Sequence, residues 1–524
     1  MPIVQQGTIN TTALIVPDLY VQIVPPQNLV LNGVPTNVLG VVGSASWGPV
    51  NQPSVVATMA DYAGTFGPVI ARKFDMGTQV ATAVQQGASN FRCVRVTDGT
   101  DAAASYAVFF TASGYPLLLT ARYTGTLGNQ IGVLLSAGSQ VGTWRLTLTM
   151  PGLTPELFDN IAAPSPAAFW ANLANAVNQG NSTLRGPSQL VVASVGTAVS
   201  TPPAALSNQT LLGGTDGATG VTAATLVGQD TLPLTGLYTL SGQGCSIALL
   251  ADADDPTQYS VQAAFSLSEG LYMIATGPSG DTIANAVSTM QTAGLDCYGV
   301  KLMFGDWVYW NDQTNGIIRL VSPQGFVAGR LANLSPEQSS LNKQLYGVVG
   351  TQKSGTPGSS QMNSYSSAEL SLLLGAGIDV IANPQPGGNY WGVRGGHNSS
   401  SNAATNGDNY TRLTNYIAST LASGMGQYVG QLINSSLFQN IRSTQLSFLQ
   451  NLLGQGILGS TDGSTPFSVI CDTSNNPNSR TSLGYVQSDA QIQYQAINEK
   501  FIVNIEGGQT VQVSRQTLPS GQTS

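Results

Sequence analysis

Few side chains in this sequence are equipped for chemistry, and their spacing decides which chemistry is open to them. The only histidine, His397, lies in a loop rich in Gly, Asn and Ser. One imidazole cannot build a two-histidine metal site, and no Ser or Cys nucleophile motif stands beside it. It reads as a surface-loop residue. Asp252, Asp254 and Asp255 are the densest carboxylate group, but the Gly and distal Glu of a calcium loop are missing. They read as a solvated turn closed by Pro256. The Gly40–Gly43 stretch follows an apolar run, as a dinucleotide loop would. It lacks the GxGxxG spacing, and Pro49 interrupts the helix start such a loop needs. Cys93, Cys245, Cys297 and Cys471 are far apart with no CxxC, which points away from a metal knuckle or a dense disulfide scaffold. Cys93 and Cys245 sit in apolar runs as buried thiols. These residues predict no catalytic site, no metal and no cofactor, so the chain reads as a structural protein and not an enzyme.

The background is unusual. A chain of 524 residues is too long for one core, so roughly two to four domains are expected. Charged residues make up 8%, against about 25% in an average domain. Gly is abundant, and Ser, Thr, Asn and Gln fill the polar positions. A net charge of −8 spread over so long a chain repels copies of itself weakly, which suits a protein destined for a polymer. A bacterial surface or adhesive β-rich binding protein shares this composition. It would carry an export signal and tandem β-repeats, and neither is visible. The acidic balance and the absence of a Lys/Arg run make nucleic acid an unsuitable direct partner. No 18-residue apolar stretch is present and the N-terminus lacks a signal-peptide pattern. A soluble chain, made in the cytoplasm with reduced thiols, is the expectation.

The positioning elements follow from periodicity. Residues 1–35 hold two proline-punctuated extended runs, Ala13–Val16 and Tyr20–Val24, and read as an arm. Residues 36–97 read as a βαβ unit: strand Val38–Val42, helix Gly77–Gln86 capped by Gly87, strand Phe91–Val96. From 98 to 236 the texture changes to Ala, Ser, Thr and Gly, with strands at Leu117–Tyr123, Ile131–Leu135, Trp144–Met150 and Leu190–Val195. A helix over 165–179 carries Phe169, Leu173, Ala176 and Val177 on one face. This reads as a mixed α+β domain inserted between two halves of an α/β core, with Thr97–Ala103 and Gly213–Gly220 as hinges. The second half of the core spans 237–490. Strands are expected at Ser246–Leu250, Gly270–Ala275, Tyr298–Phe304 and Asp379–Ala382. Helices are expected over 258–268, over 366–376, and after an Asp281 cap with Ile283, Val287 and Met290 inward. Two longer helices follow, over 408–432 and 437–453, the latter with Leu446, Leu449 and Leu453 on one face. Residues 491–524 form a linker and a strand arm, with Phe501–Ile505 and Thr510–Val513 alternating around Gly507–Gly508.

The order of motifs resembles the contractile tail sheath proteins of myophages and R-type tailocins. Pro17-Asp18-Leu19-Tyr20-Val21-Gln22 is similar to the family's opening strand, with Asp18 for Gly and Gln22 for Glu. Gly40-Val41-Val42-Gly43 followed by Gly48-Pro49-Val50-Asn51-Gln52-Pro53 resembles its next block. Phe66-Gly67 and Cys93-Val94-Arg95-Val96 stand where the family has FG and an Arg-Val pair. Tyr123-Thr124-Gly125-Thr126-Leu127-Gly128-Asn129 resembles the opening of its inserted domain, and Leu212-Gly213-Gly214-Thr215-Asp216-Gly217 the close. Ser322 to Gly329, Gly377-Ile378 through Trp391-Gly392-Val393-Arg394, and Phe467–Asp472 with Asn475 and Asn476 continue the series. An aromatic–Arg–Arg helix start in the family is Asn409-Tyr410-Thr411-Arg412-Leu413 here, leaving Arg412 as the candidate for its basic contact.

The resemblance implies a core built from both halves and facing an inner tube, with the 98–236 domain projecting outward. It implies hexameric rings stacked around a tail tube, which contract to drive the tube through a host envelope. Partners would be the chain itself, the tube protein, and baseplate and terminator proteins, in a virion tail made in the host bacterial cytoplasm. Subunits that slide without detaching need tethers, and strand addition supplies them. The inter-subunit arm residues expected are Ala13, Leu14, Ile15, Val16, Tyr20, Val21, Phe501, Ile502, Val503, Ile505, Val511 and Val513.

Overall fold

The structure, a computed structural model, describes residues 3–6, 20–23, 31–183, 185–359 and 363–507, the first two stretches as strand backbone only. Its centre is a seven-stranded sheet ordered Ile378–Asp379, Val300–Met303, Tyr272–Thr276, Ile247–Leu250, Leu39–Gly43, Phe91–Arg95 and Ser54–Val56. All neighbours are parallel except the final antiparallel pair. The four strands that follow the 98–236 segment and the three that precede it therefore join edge to edge in one sheet, with Leu39 beside Ile247 and Val42 beside Leu250.

Both faces of this sheet are covered, which is why its strands read as unbroken apolar runs. Leu39, Val41, Ile247 and Leu249 point into one core, together with Tyr62 and Phe66 from helix Met59–Phe66, Val80 from helix Met76–Gln85 and Phe326 from helix Gln324–Ala332. Val42, Ala248 and Leu250 point into the other, against Leu226, Tyr259, Phe265, Met290 and Leu373. The Met76–Gln85 and Gln324–Ala332 helices cross closely because glycine faces the contact. A Cβ on Gly329 would lie 2.5 Å from Ala83 Cα, and one on Gly325 would lie 2.7 Å from the Gln79 carbonyl oxygen.

Residues 105–210 build a separate antiparallel layer pair. One sheet joins Val191–Val195, Leu117–Ala121 and Ser105–Val108; the other joins Glu156–Ile161, Trp144–Thr149, Gly132–Ala137 and Leu206–Thr210. Helix Pro166–Gln179 buries Phe169, Trp170, Leu173 and Val177 into their shared core. Beyond the central sheet, helices Asp408–Met425 and Ser435–Gly454 pack with the antiparallel pair Phe467–Ile470 and Asp489–Ile492.

Several local expectations are corrected. Thr282, not Asp281, caps helix Ile283–Ala293: its hydroxyl accepts from the Asn285 N–H, while Asp281 accepts from Thr282 N–H and the Asn285 amide. The expected Asp379–Ala382 strand divides between two sheets, because the Asp379 carboxylate takes the Val380 N–H and turns the chain. The 408–432 helix stops at Met425 and passes into a short 3₁₀ turn. In Ser435–Gly454 the buried stripe is Leu437, Phe438, Ile441, Phe448, Leu449 and Leu452, which leaves Leu446 and Leu453 at its margin.

Candidate functional site

Two buried polar hubs and one exposed apolar segment stand out. The first hub is Arg95, at the end of strand Phe91–Arg95 and without solvent exposure. Its guanidinium donates to the carbonyls of Gly48 at 2.8 Å, Thr124 at 2.7 Å and Asp216 at 3.2 Å. A guanidinium offers a fork of five donors, so one side chain ties three loops together. The Asp216 carboxylate accepts the Thr126 N–H at 2.7 Å, the Thr126 hydroxyl at 2.8 Å and Arg72 Nη1 at 2.6 Å. Arg72 also faces Asp75, whose carboxylate caps helix Met76–Gln85 through the Thr78 N–H and hydroxyl, each at 2.8 Å. Burial pushes the Asp75 carboxyl up to about 7, against the pull of Arg72 and the Thr78 bonds. Burial lowers Arg95, opposed by Asp101 and Asp216.

This hub sits where the 98–236 segment leaves and rejoins the central sheet, at the two flanks expected as hinges. The Asp98 N–H donates to Gly217, Ala102 and Thr215 exchange N–H···O bonds, and Ser105 and Leu212 do the same. Gly220 N–H adds a bond to the Asp98 carboxylate. The flanks are zipped to each other by backbone bonds because their small residues allow close approach; a Cβ on Gly217 would lie 2.7 Å from the Asp101 backbone nitrogen.

The second hub is Lys301, in the middle of strand Val300–Met303 and fully buried. Its ammonium lies 2.6 Å from Asp379 Oδ2 and 3.0 Å from Asp408 Oδ1, and it donates to the His397 carbonyl at 2.9 Å. Asp408 opens helix Asp408–Met425 and also accepts the Tyr272 hydroxyl at 2.6 Å, the Ser340 N–H at 3.0 Å and the Ser340 hydroxyl. Asp379 accepts the N–H groups of Gly395 and Gly396 at 2.8 and 2.7 Å. Burial works against both charges. The two carboxylates outweigh it and hold Lys301 above its usual value, and Lys301 with the Ser340 and Tyr272 bonds holds Asp408 down at about 2. Such a network joins strand, loop and helix into one rigid unit.

Asp252 is not solvated. It is buried, accepts the Gln79 amide at 2.9 Å and the Phe74 N–H at 3.1 Å, and burial raises its carboxyl, because the turn lies under helix Met76–Gln85. Asp254 pairs with Lys73, and Asp255 caps the following turn. All four cysteines are free and buried; burial raises Cys93 and Cys245, the latter to about 12. Arg412 is also buried, donating to the Leu334 and Ser335 carbonyls, and burial lowers it to about 10. The side chain left as the candidate for the family's basic contact is thus engaged with backbone carbonyls of its own chain. Among the described residues no group of three or more His, Cys, Asp or Glu could hold a metal ion. No described helix is long and apolar enough to cross a membrane.

In the exposed apolar segment, Phe501, Ile502, Val503 and Ile505 belong to no strand and are 61–87% exposed. Fold comparison places the whole arrangement. A sheath tail protein from Desulfitobacterium hafniense superposes with a TM-score of 0.58 at 16% identity, over 86% of this chain and 92% of its own. The chain has the contractile tail sheath fold. A sheath tail protein from Listeria innocua matches with a TM-score of 0.58 at 16% identity, over 84% of this chain and 89% of its own. A contracted-state sheath of an extracellular contractile injection system matches at 0.52 and 12% identity, over 95% of this chain and 98% of its own. No family model and no curated protein matches the sequence.

Of the expected arm residues, Tyr20, Val21, Phe501, Ile502, Val503 and Ile505 fall among the described residues. Tyr20 and Val21 lie in strand Tyr20–Ile23, which pairs in parallel with Ile3–Gln6. Ala13, Leu14, Ile15, Val16, Val511 and Val513 lie outside the described residues. The alternation expected at Phe501–Ile505 finds no partner strand in its own chain among the described residues. Sequence reasoning missed Arg95, Asp216, Lys301, Asp379 and Asp408 as hub residues. The one available signal was a charge placed inside an apolar strand, as at Arg95 and Lys301.

Proposed function

We propose that this chain is the structural subunit of a contractile tail sheath. It polymerises as stacked hexameric rings around an inner tube, is linked by strand exchange, and contracts to drive the tube through a host envelope. The observation that carries this is the sheath fold matched over 84–95% of the chain. The exposed apolar segment supports the tether: four large apolar side chains at 61–87% exposure are costly unless a partner covers them. A backbone hydrogen bond contributes about 1 kcal/mol net, so a single arm is a modest tether, and the repeat of arms around a ring makes it durable. The 98–236 domain would project outward, and the chain would meet the tube, baseplate and terminator proteins in a virion tail.

Negative-stain microscopy of the purified protein, with and without residues 501–524, tests this reading. The full chain should form rings or tubes. The truncated chain should stay folded, with near-normal thermal unfolding because the cores lie upstream, and form none. A full chain that stays monomeric at high concentration with tube protein present overturns the reading.

A further inference from the structure

The only histidine of the chain is held in a specific place. The His397 backbone N–H donates to Asp379 Oδ2 at 3.3 Å, and its carbonyl accepts from Lys301 at 2.9 Å. Its peptide unit is thus pinned from both sides by the buried Lys301–Asp379–Asp408 network. The imidazole is turned outward from this pinned backbone, and its Nε2 lies 2.7 Å from Glu499 Oε1, with the side chains 20% and 37% exposed. Since a carboxylate only accepts, Nε2 is the donor.

Glu499 is the end of a series of anchors. After strand Asp489–Ile492, the Tyr494 hydroxyl meets Thr414 at 3.2 Å and the Gln495 carbonyl accepts from the Asn409 amide at 3.1 Å, both on helix Asp408–Met425. Tyr494 also lies edge-on to Tyr410, with centroids 5.9 Å apart. Among the described residues Glu499 makes the last side-chain bond. Two residues later begins the exposed apolar run Phe501, Ile502, Val503 and Ile505.

We infer that His397 and Glu499 form the anchor that fixes where the C-terminal arm leaves the subunit. The inference rests on the strand-donor reading above and names the device that aims the donor. A tethered strand binds a neighbouring sheet with an effective concentration set by the position and freedom of its root. A root pinned to a buried ion network presents the arm from one point; an unpinned root lets it sample more volume and lowers the encounter with its acceptor. His397 and Glu499 are positioning residues: they aim the segment and need not touch the neighbour.

A nitroxide on Lys500→Cys reads this directly, because the four native cysteines are buried. In the unassembled chain the spectrum should be broad. His397→Ala and Glu499→Ala should each narrow it and raise the onset concentration for self-assembly several-fold. The double variant should be no worse than either single one, as expected for two residues acting as one contact. His397→Arg, which restores a donor to Glu499, should recover both readouts. Unchanged spectra in the single variants, or additive losses in the double, overturn the anchor. If removing residues 501–524 leaves assembly intact, the strand-donor reading fails, and the label still decides separately whether the anchor exists.

Discussion

At the scale of single residues, the low charge content makes each buried charge consequential. Lys301 balances two carboxylates, one fully buried and one nearly so, with Nζ 2.6 and 3.0 Å away. Replacing it by methionine keeps the volume and removes the cation. Breaking a buried pair in this way typically costs about 3–5 kcal/mol. Lys301→Met should therefore lower the urea midpoint strongly at pH 8. Near pH 4 the loss should be smaller, because an unpaired buried carboxylate can take up a proton instead. Asp75 behaves oppositely. Burial lifts its folded value to about 7, well above that of an ordinary aspartate, so the native state binds the proton more tightly. Its contribution to stability is full below roughly pH 4 and is lost as pH rises through about 7. Asparagine keeps the acceptor for Thr78 and cannot ionise. Between pH 4 and 8, Asp75→Asn should gain stability relative to the parent, by up to a few kcal/mol. Arg72 limits the gain, since it loses its Asp75 partner at 3.7 Å and keeps Asp216. A stability difference that stays flat across that range, measured by urea titration, counts against the assignment.

At the scale of elements, Asp216 is the piece to remove. Its carboxylate joins Arg72 and Thr126 across the junction, while its backbone carbonyl, which alanine keeps, accepts from Arg95. Asp216→Ala should leave both cores folded and loosen the 105–210 layer pair against the central sheet. Hydrogen exchange should rise at 98–102 and 212–220 while protection at Leu39–Gly43 is retained; equal protection throughout would mean the zipped backbone alone holds the joint. The elements legible from sequence were those with a strong period or a fully apolar run: Met76–Gln85, Pro166–Gln179, Ile247–Leu250, Tyr272–Thr276 and Val300–Met303 all form within a few residues of expectation. The missed ones have physical reasons. Gln324–Ala332 carries Gly325 and Gly329, poor helix formers, and exists because those glycines permit a close crossing with Met76–Gln85. Met59–Phe66 is short, yet its Thr58–Asp61 capping box was in plain view. The hairpin strands Val308–Asp312 and Ile317–Val321 alternate weakly, since Ile317 and Ile318 are both exposed. The hubs were illegible because their partners are remote: Lys301 meets residues 78 and 107 positions away, and no local pattern records such a pairing.

At the scale of the whole molecule, the question is which forces a lattice of these chains can use. The sequence supplies 18 basic and 26 acidic side chains in 524 residues. The structure engages several of them internally: Lys301 and Arg412 are buried, Arg95 spans the junction, Arg319 pairs with Asp312, and Arg72 pairs with Asp216. What remains for contacts between copies is mostly neutral: amides, hydroxyls, apolar side chains such as those of Phe501–Ile505, and unpaired strand backbone. The Debye length shortens from about 10 Å at 0.1 M to about 3 Å at 1 M. That screening weakens exposed ion pairs and leaves apolar burial and backbone hydrogen bonds largely intact. Assemblies formed at low salt should therefore persist to about 1 M sodium chloride, with unchanged length distributions by negative stain and no monomer released in sedimentation. Under the proposed strand-exchange reading this would also suit a sheath that exchanges one packing of rigid subunits for another, because strand tethers would travel with the chain whereas a lattice of ion pairs would have to be broken and rebuilt. Release of monomer at moderate salt would mean that a few ion pairs carry the lattice, and that the scarcity of charge on this surface is not what lets the copies associate.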